Sequence, residues 1–328
     1  MEAPKSEILP PPPSVISAIR AGFDTVTVHL TAILLPLALD LFLWLGPRLN
    51  VEKVMMAYLK LYREMAGDLN LPSEPVQQVL KTATEFWQDF NLFSALSTFP
   101  IGISSLLRSL QPADNPLGAP HLLKVTSTGG MLGWMFLFVL AGWLAGAVYF
   151  RWVASLALPQ GQKISLSVLF QSFSLSALYM ILVFVIGMPL MLFLFMMFAI
   201  SPILGQGLFL FLGFISIWVV VPLYFAGHGI FLRGQNLFAS IVSGIRLARF
   251  TLPTSSLFVL LVLVISTGLN YLWSIPESNS WMLAVGIFGH AFITTALLAA
   301  SFIYYRDATT WLQIVFDKLK AGAAPRQA

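Results

Sequence analysis

Asp40 is the one acid inside any long apolar stretch of this 328-residue chain. An ionised carboxylate in hydrocarbon is costly, so an acid in that position ordinarily faces a cavity or a polar partner. It precedes Gly46 by six residues, about 9 Å at helical rise. His290 follows Trp281 by nine residues, about 13 Å by the same rise. These similar depths predict an Asp40–His290 polar contact, provided that the first and last apolar helices are neighbours, and Asn270 is placed to join it. Such a cluster suits proton transfer or the holding of a polar substrate. A structural clasp, or an acid reaching outward to water, is the commoner use of the same residues.

The other histidines carry less chemistry. His228 sits in Gly227-His228-Gly229, where small neighbours admit close helix approach, and a satisfied interfacial histidine is expected. His29 and His121 stand alone. Four histidines without paired spacing predict no metal site, and the absence of cysteine removes thiolate nucleophiles and iron–sulfur ligation. There is no Walker A loop, GxSxG, HExxH or dinucleotide fingerprint. The serines are scattered and none has a visible base. No catalytic residue and no cofactor are therefore expected.

The elements that position these residues follow from composition. Hydrophobic residues make up 58% of the chain and charged ones only 10%, with a mean hydropathy of +0.83. A water-facing surface of this length would need roughly a quarter charged residues. The expected class is an all-α, polytopic membrane helical bundle. Six windows reach the roughly 20 apolar residues that a crossing needs: Thr25–Gly46, Met131–Val153, Ser174–Ile200, Gly205–Leu232, Ser255–Trp273 and Trp281–Tyr305. Pro36, Pro189 and Pro222 fall within them as candidate kinks.

Eleven of the 18 Lys and Arg fall on the face holding both termini and the loops after the second and fourth spans. The other seven share one loop of more than 80 residues, which counts little toward orientation. Both termini are thus expected in the cytoplasm, with the chain in the cell inner (plasma) membrane. The basic excess reads as topology, and nucleic-acid binding is not expected. Trp44, Trp134, Trp273 and Trp281 at the outer ends, and Tyr304 and Tyr305 at an inner end, suit an interfacial belt.

Short amphipathic stretches precede the odd-numbered spans: Ser14–Phe23, Ile164–Phe173 and Leu237–Phe250. Each suits a helix lying in the inner interface. Arg20, Lys163, Arg233, Arg246 and Arg249 would there contact anionic lipid or a cytoplasmic partner. The spans thus read as three units of interfacial helix, span and span. Ser17-Ala18-Ile19-Arg20 is echoed by Ser243-Gly244-Ile245-Arg246, and Thr25 by Thr251. The resulting domains are a flexible Pro-rich arm (1–13), an interfacial helix and first span (14–46), an extracytoplasmic insert (47–130), the remaining spans (131–305) and a cytoplasmic tail (306–328). Nothing at the amino terminus has the pattern of a cleavable signal.

This six-span pattern, with a small-hydrophobic-Arg stretch leading into a span, resembles the membrane domain associated with bacterial glycerophosphoryl diester phosphodiesterases. The resemblance covers about Ser14–Gly46 and Ile164–Tyr305. It implies a membrane module without the family's soluble catalytic barrel, so the phosphodiesterase activity does not carry over. The insert after the first span departs from the family's pattern.

Within the insert, Val51, Val54, Met55, Tyr58, Tyr62 and Met65 recur at helical spacing behind Asn50, a candidate N-cap. A second helix is expected from Ser73, with Pro75 in its first turn. Leu92–Leu110 reads as a further part of this helical subdomain. Its alternatives are a re-entrant element or a seventh span, and Arg108, Pro100 and the Ser/Thr density oppose a full crossing. Gly142 and Gly146 form a small-xxx-small motif for packing within the bundle or for self-association. The expected function is a non-catalytic assembly or anchoring protein, or an accessory subunit of a membrane complex, with the lipid bilayer and other membrane subunits as partners. A permease subunit coupled to a cytoplasmic ATPase is the alternative, with the third and fourth spans lining a path. A lipid-modifying enzyme is the least favoured reading.

Overall fold

The apolar runs of the sequence form long helices, broken where proline removes a backbone donor or a side chain competes for one. The computed structural model describes residues 11–70, 72–158 and 165–323. It is all-α and 81% helical. Five helices are long and apolar enough to cross a membrane, and a sixth is added if the bent pair Val15–Val28 and Leu30–Leu45 is one span. That is consistent with a polytopic membrane helical bundle in a lipid bilayer. The chain divides into two compact units: Met1–His29, Phe150–Ser266 and Thr295–Ala328 form the first, Leu30–Tyr149 and Thr267–Thr294 the second.

In the first unit, α1 (Val15–Val28) begins at Ser14, whose hydroxyl accepts from the Ser17 amide. It continues past Phe23 and ends at His29, so the expected first span of Thr25–Gly46 is divided there. Its buried face, Val15, Ala18, Gly22 and Val26, lies close to α11 (Met282–Ala323): a Cβ on Gly22 would overlap Ala296 and Ala300. The expected interfacial helix at Ile164–Phe173 is not a separate element. α7 (Leu166–Leu182) runs through Phe173 without a break, because no proline or glycine interrupts it and Ser174 and Ser176 bond back to carbonyls four residues earlier. A π-helical turn, Val183–Gly187, leads into α8 (Met188–Ile200). Pro189 lacks an N–H and crowds the carbonyl four residues before it, and the wider turn relieves that clash.

α9 (Pro202–Arg233) follows after Ser201, in extended backbone. No residue of α8 is buried, and in α9 Gly205 is the only buried residue before Val221. α10 (Leu237–Trp273) kinks at Thr251, two residues before Pro253, which divides the Leu237–Phe250 stretch from the apolar run after it. Thr25 and Thr251 make the same bond, each hydroxyl donating at 2.7 Å to the carbonyl four residues back, and both Ala18 and Gly244 are buried. The small-hydrophobic-Arg echo thus has matching local structure. Tyr304 and Tyr305 are fully buried, not interfacial: Tyr304 stacks on Phe258 at 4.5 Å and meets the Ser255 hydroxyl at 3.2 Å. α11 passes Tyr305 and continues to Ala323, with Arg306 donating to the Ala157 carbonyl.

In the second unit, α2 (Leu34–Leu45) follows a 3-10 turn at Leu30–Ile33. The chain then enters β1 (Arg48–Asn50), which pairs in parallel with β2 (Leu122–Lys124), an element the sequence pattern does not announce. Between them lie α3 (Glu52–Asp68) and α4 (Ser73–Asp89), close to the expected helices. The Asn50 side chain accepts from the Glu52 amide at 2.8 Å, although the N-cap position itself is Val51. Leu49, Val51, Val54, Leu92, Val125 and Phe138 form a core. Trp44 is buried instead of interfacial, its Nε1 donating to the Ser278 carbonyl at 2.7 Å and its ring edge-on to Trp281.

α6 (Thr128–Leu156) carries the small-xxx-small motif, which lies against the stretch from Leu96 to Gly102 of the same chain. A Cβ on Gly142 would overlap the Leu96 backbone, and one on Gly146 would overlap Gly102. Gly133, on the same helix, has open space. Gly146→Ala is therefore expected to cost about 1–3 kcal/mol from overpacking, read as thermal unfolding in detergent, while Gly133→Ala leaves the transition unchanged.

Candidate functional site

The stretch around Leu92–Leu110 is a closed loop within the second unit. Its ends meet: the Asn91 amide donates to Gln111 Oε1 at 2.8 Å, and Asn91 Oδ1 accepts from the Leu49 and Phe93 amides at 3.0 and 3.2 Å. Between them lie a 3-10 turn (Leu92–Leu96), irregular backbone and a four-residue helix, α5 (Leu107–Leu110). The stretch therefore forms no seventh long helix. Irregular backbone buried inside a protein must find its partners there. Here the Ser97 hydroxyl donates to the Ile103 carbonyl and that of Thr98 to the Ile101 carbonyl, both at 2.7 Å, while Arg108 donates to the Ser97 carbonyl at 2.9 Å.

Asp40 is completely buried on α2 and receives this loop. The Ser105 hydroxyl donates to Oδ1 at 2.5 Å, the Leu106 amide to Oδ2 at 3.1 Å and the Leu107 amide to Oδ1 at 3.3 Å. On α11, His290 is 1% exposed, with Nδ1 2.7 Å from Asn270 Oδ1 and Nε2 3.2 Å from the Ser104 hydroxyl. The expected direct Asp40–His290 bond is absent among these contacts, because consecutive serines of the loop stand at the two groups. The expected His290–Asn270 contact is present. Ser104 and Ser105 were not singled out in the sequence, where their density served only to oppose a crossing. A tandem serine after Pro100 and Gly102 in an apolar run is the signal that marks them.

The remaining candidates lie apart from this cluster. His228, buried in the first unit, meets Ser301 at 2.8 Å among the rings of Tyr224, Phe225, Phe302 and Tyr305. Arg20, Arg233, Arg246 and Arg249 are exposed; Arg20 pairs with Asp24 at 3.8 Å, and Arg233 donates to Thr309 at 2.7 Å. Lys163 lies outside the described residues. Arg48, just beyond α2, donates to the Asp89 carbonyl, and burial pulls its guanidinium below the ordinary range against the pull of the Asp89 charge. Among the described residues no group of three or more His, Asp or Glu could hold a metal ion.

Comparison with protein-family models, curated proteins and solved structures finds no match. The resemblance to the phosphodiesterase-associated membrane domain therefore rests on sequence pattern alone.

Removing Asp40 leaves two amides and a hydroxyl without their acceptor. Asp40→Ala is expected to cost about 3 kcal/mol and to open the loop to proteolysis. In double-mutant cycles read by unfolding in detergent, Asp40→Ala and Ser105→Ala should couple by about 1 kcal/mol or more, and Asp40→Ala and His290→Ala by less than about 0.5.

Proposed function

We propose that this chain is an assembly or anchoring protein of the cell inner membrane, an accessory subunit that presents one helical hairpin to a membrane partner. It crosses six times, with both termini in the cytoplasm and the insert outside. The observation that carries the reading is the exposure of α8 and of α9 before Val221. A helix buried in a bundle packs an inward face against its neighbours. The apolar window of Leu166–Ile200 has 0% of its residues buried, against 50% for Met282–Lys320. Side chains such as Val185 (67% exposed), Phe193 and Phe211 are left for lipid or another membrane protein.

The same exposure counts against the permease alternative, which needs the third and fourth spans to line an enclosed path. Exposed Arg20, Arg233, Arg246 and Arg249 suit contact with anionic lipid on the cytoplasmic face. A photo-reactive residue at Val185 or Phe211 should give discrete protein adducts in native membranes, and one at the fully buried Phe225 should give none. Lipid adducts alone at both hairpin positions would contradict the assembly reading. Because the chain has no cysteine, topology is tested separately with an impermeant thiol reagent on intact cells. Ser73→Cys should label and Gln160→Cys should not.

A further inference from the structure

The loop is already held by Asp40 and Ser105, which leaves the Ser104–His290–Asn270 contacts without a structural necessity. Their polarity has a chemical consequence. Asn270 Oδ1 is an acceptor, so the imidazole nitrogen facing it at 2.7 Å, Nδ1, carries the proton. Nε2 is then the accepting nitrogen, and the Ser104 hydroxyl at 3.2 Å donates to it. A serine hydroxyl bonded to a neutral imidazole, itself oriented by a third group, is the arrangement of an activated nucleophile and its base. Ser104 is half-buried while His290 is shielded, so the nucleophile is the accessible member.

We propose that Ser104, His290 and Asn270 form an acyl-transfer centre acting on ester carbonyls of membrane lipids, beyond the assembly role. His290 lies eight residues into α11, about 12 Å from its start. With the start of α11 set at the outer edge of a headgroup layer about 6 Å thick, the site would lie roughly one helical turn below the layer of glycerolipid ester carbonyls. In the reaction, Ser104 Oγ bonds to the carbonyl carbon and its proton passes to His290 Nε2. That proton goes to the leaving alcohol oxygen as the ester C–O bond breaks. In the second step Nε2 takes a proton from water, the water oxygen bonds to the acyl carbon, and the proton returns to Oγ as the C–Oγ bond breaks. Ester and water become acid and alcohol. Ser104 and His290 are the catalytic residues; Asn270 is a positioning residue, holding the imidazole tautomer.

The test is covalent labelling of the full chain in phosphatidylcholine vesicles by a hexadecyl fluorophosphonate, with the adduct mapped by mass spectrometry and its rate followed. The adduct should form on Ser104 and vanish in Ser104→Ala. His290→Gln should slow labelling by about 100-fold or more, the general-base contribution. Asn270→Ala should slow it by about tenfold while Asn270→Asp restores it, as expected when one acceptor orients the tautomer. Ser105→Ala should still label. Each variant's thermal transition is read in parallel, and only variants unfolding cooperatively are scored. Failure of the wild-type chain to label at Ser104, labelling at another serine, or an unchanged rate in His290→Gln would overturn the proposal.

Discussion

A carboxylate shut among aliphatic side chains is tolerable only where hydrogen-bond donors converge on it. In the second unit those donors are one hydroxyl and two consecutive backbone amides, all from the loop around Leu92–Leu110. The dependence runs both ways. Asp40 needs the loop for its donors, and the loop's irregular, buried backbone needs an acceptor within the protein. With that contact in place, the loop's glycine can meet Gly146 and Ser104 can meet His290.

How the loop is closed explains why the contact holds. Asn91 ties the strand, the 3-10 turn and Gln111 together, so the loop's two ends are fixed before its middle is placed. Ordering such a closed loop costs less conformational entropy than ordering a free chain of the same length. The connection after α5 is fastened in the same manner, with Asn115 donating to the Trp44 carbonyl and Ser278 donating to Asp114. The first unit is arranged differently. Its polar groups pair with nearby hydroxyls among aromatic rings, as with His228 and Ser301, and its hairpin is left uncovered.

Much of the fold was legible from hydropathy and breakers. α6, α9 and the two insert helices lie close to their expected bounds, because long apolar runs and strong helix periodicity decide those elements locally. The continuity of α7 through Phe173 and the break at His29 were not legible, since neither place has a proline or glycine pattern that dictates the outcome. Trp44, Tyr304 and Tyr305 misled because an aromatic residue near a span end suits an interface and a core equally well. Of the site, Asp40, His290 and Asn270 were visible as polar residues in apolar runs. Ser104 and Ser105 were not, because their roles come from loop closure over roughly 20 residues, which no local period encodes.

Hydrogen exchange at the Leu106 and Leu107 amides, read by mass spectrometry on the chain in lipid nanodiscs, tests the central claim most directly. Both amides belong to irregular or barely helical backbone, so only the Asp40 carboxylate should protect them. The account predicts protection comparable to that of the α6 core in the wild-type chain, lost in Asp40→Ala while α6 stays protected. Exchange of both amides at open-loop rates in the wild-type chain would contradict it.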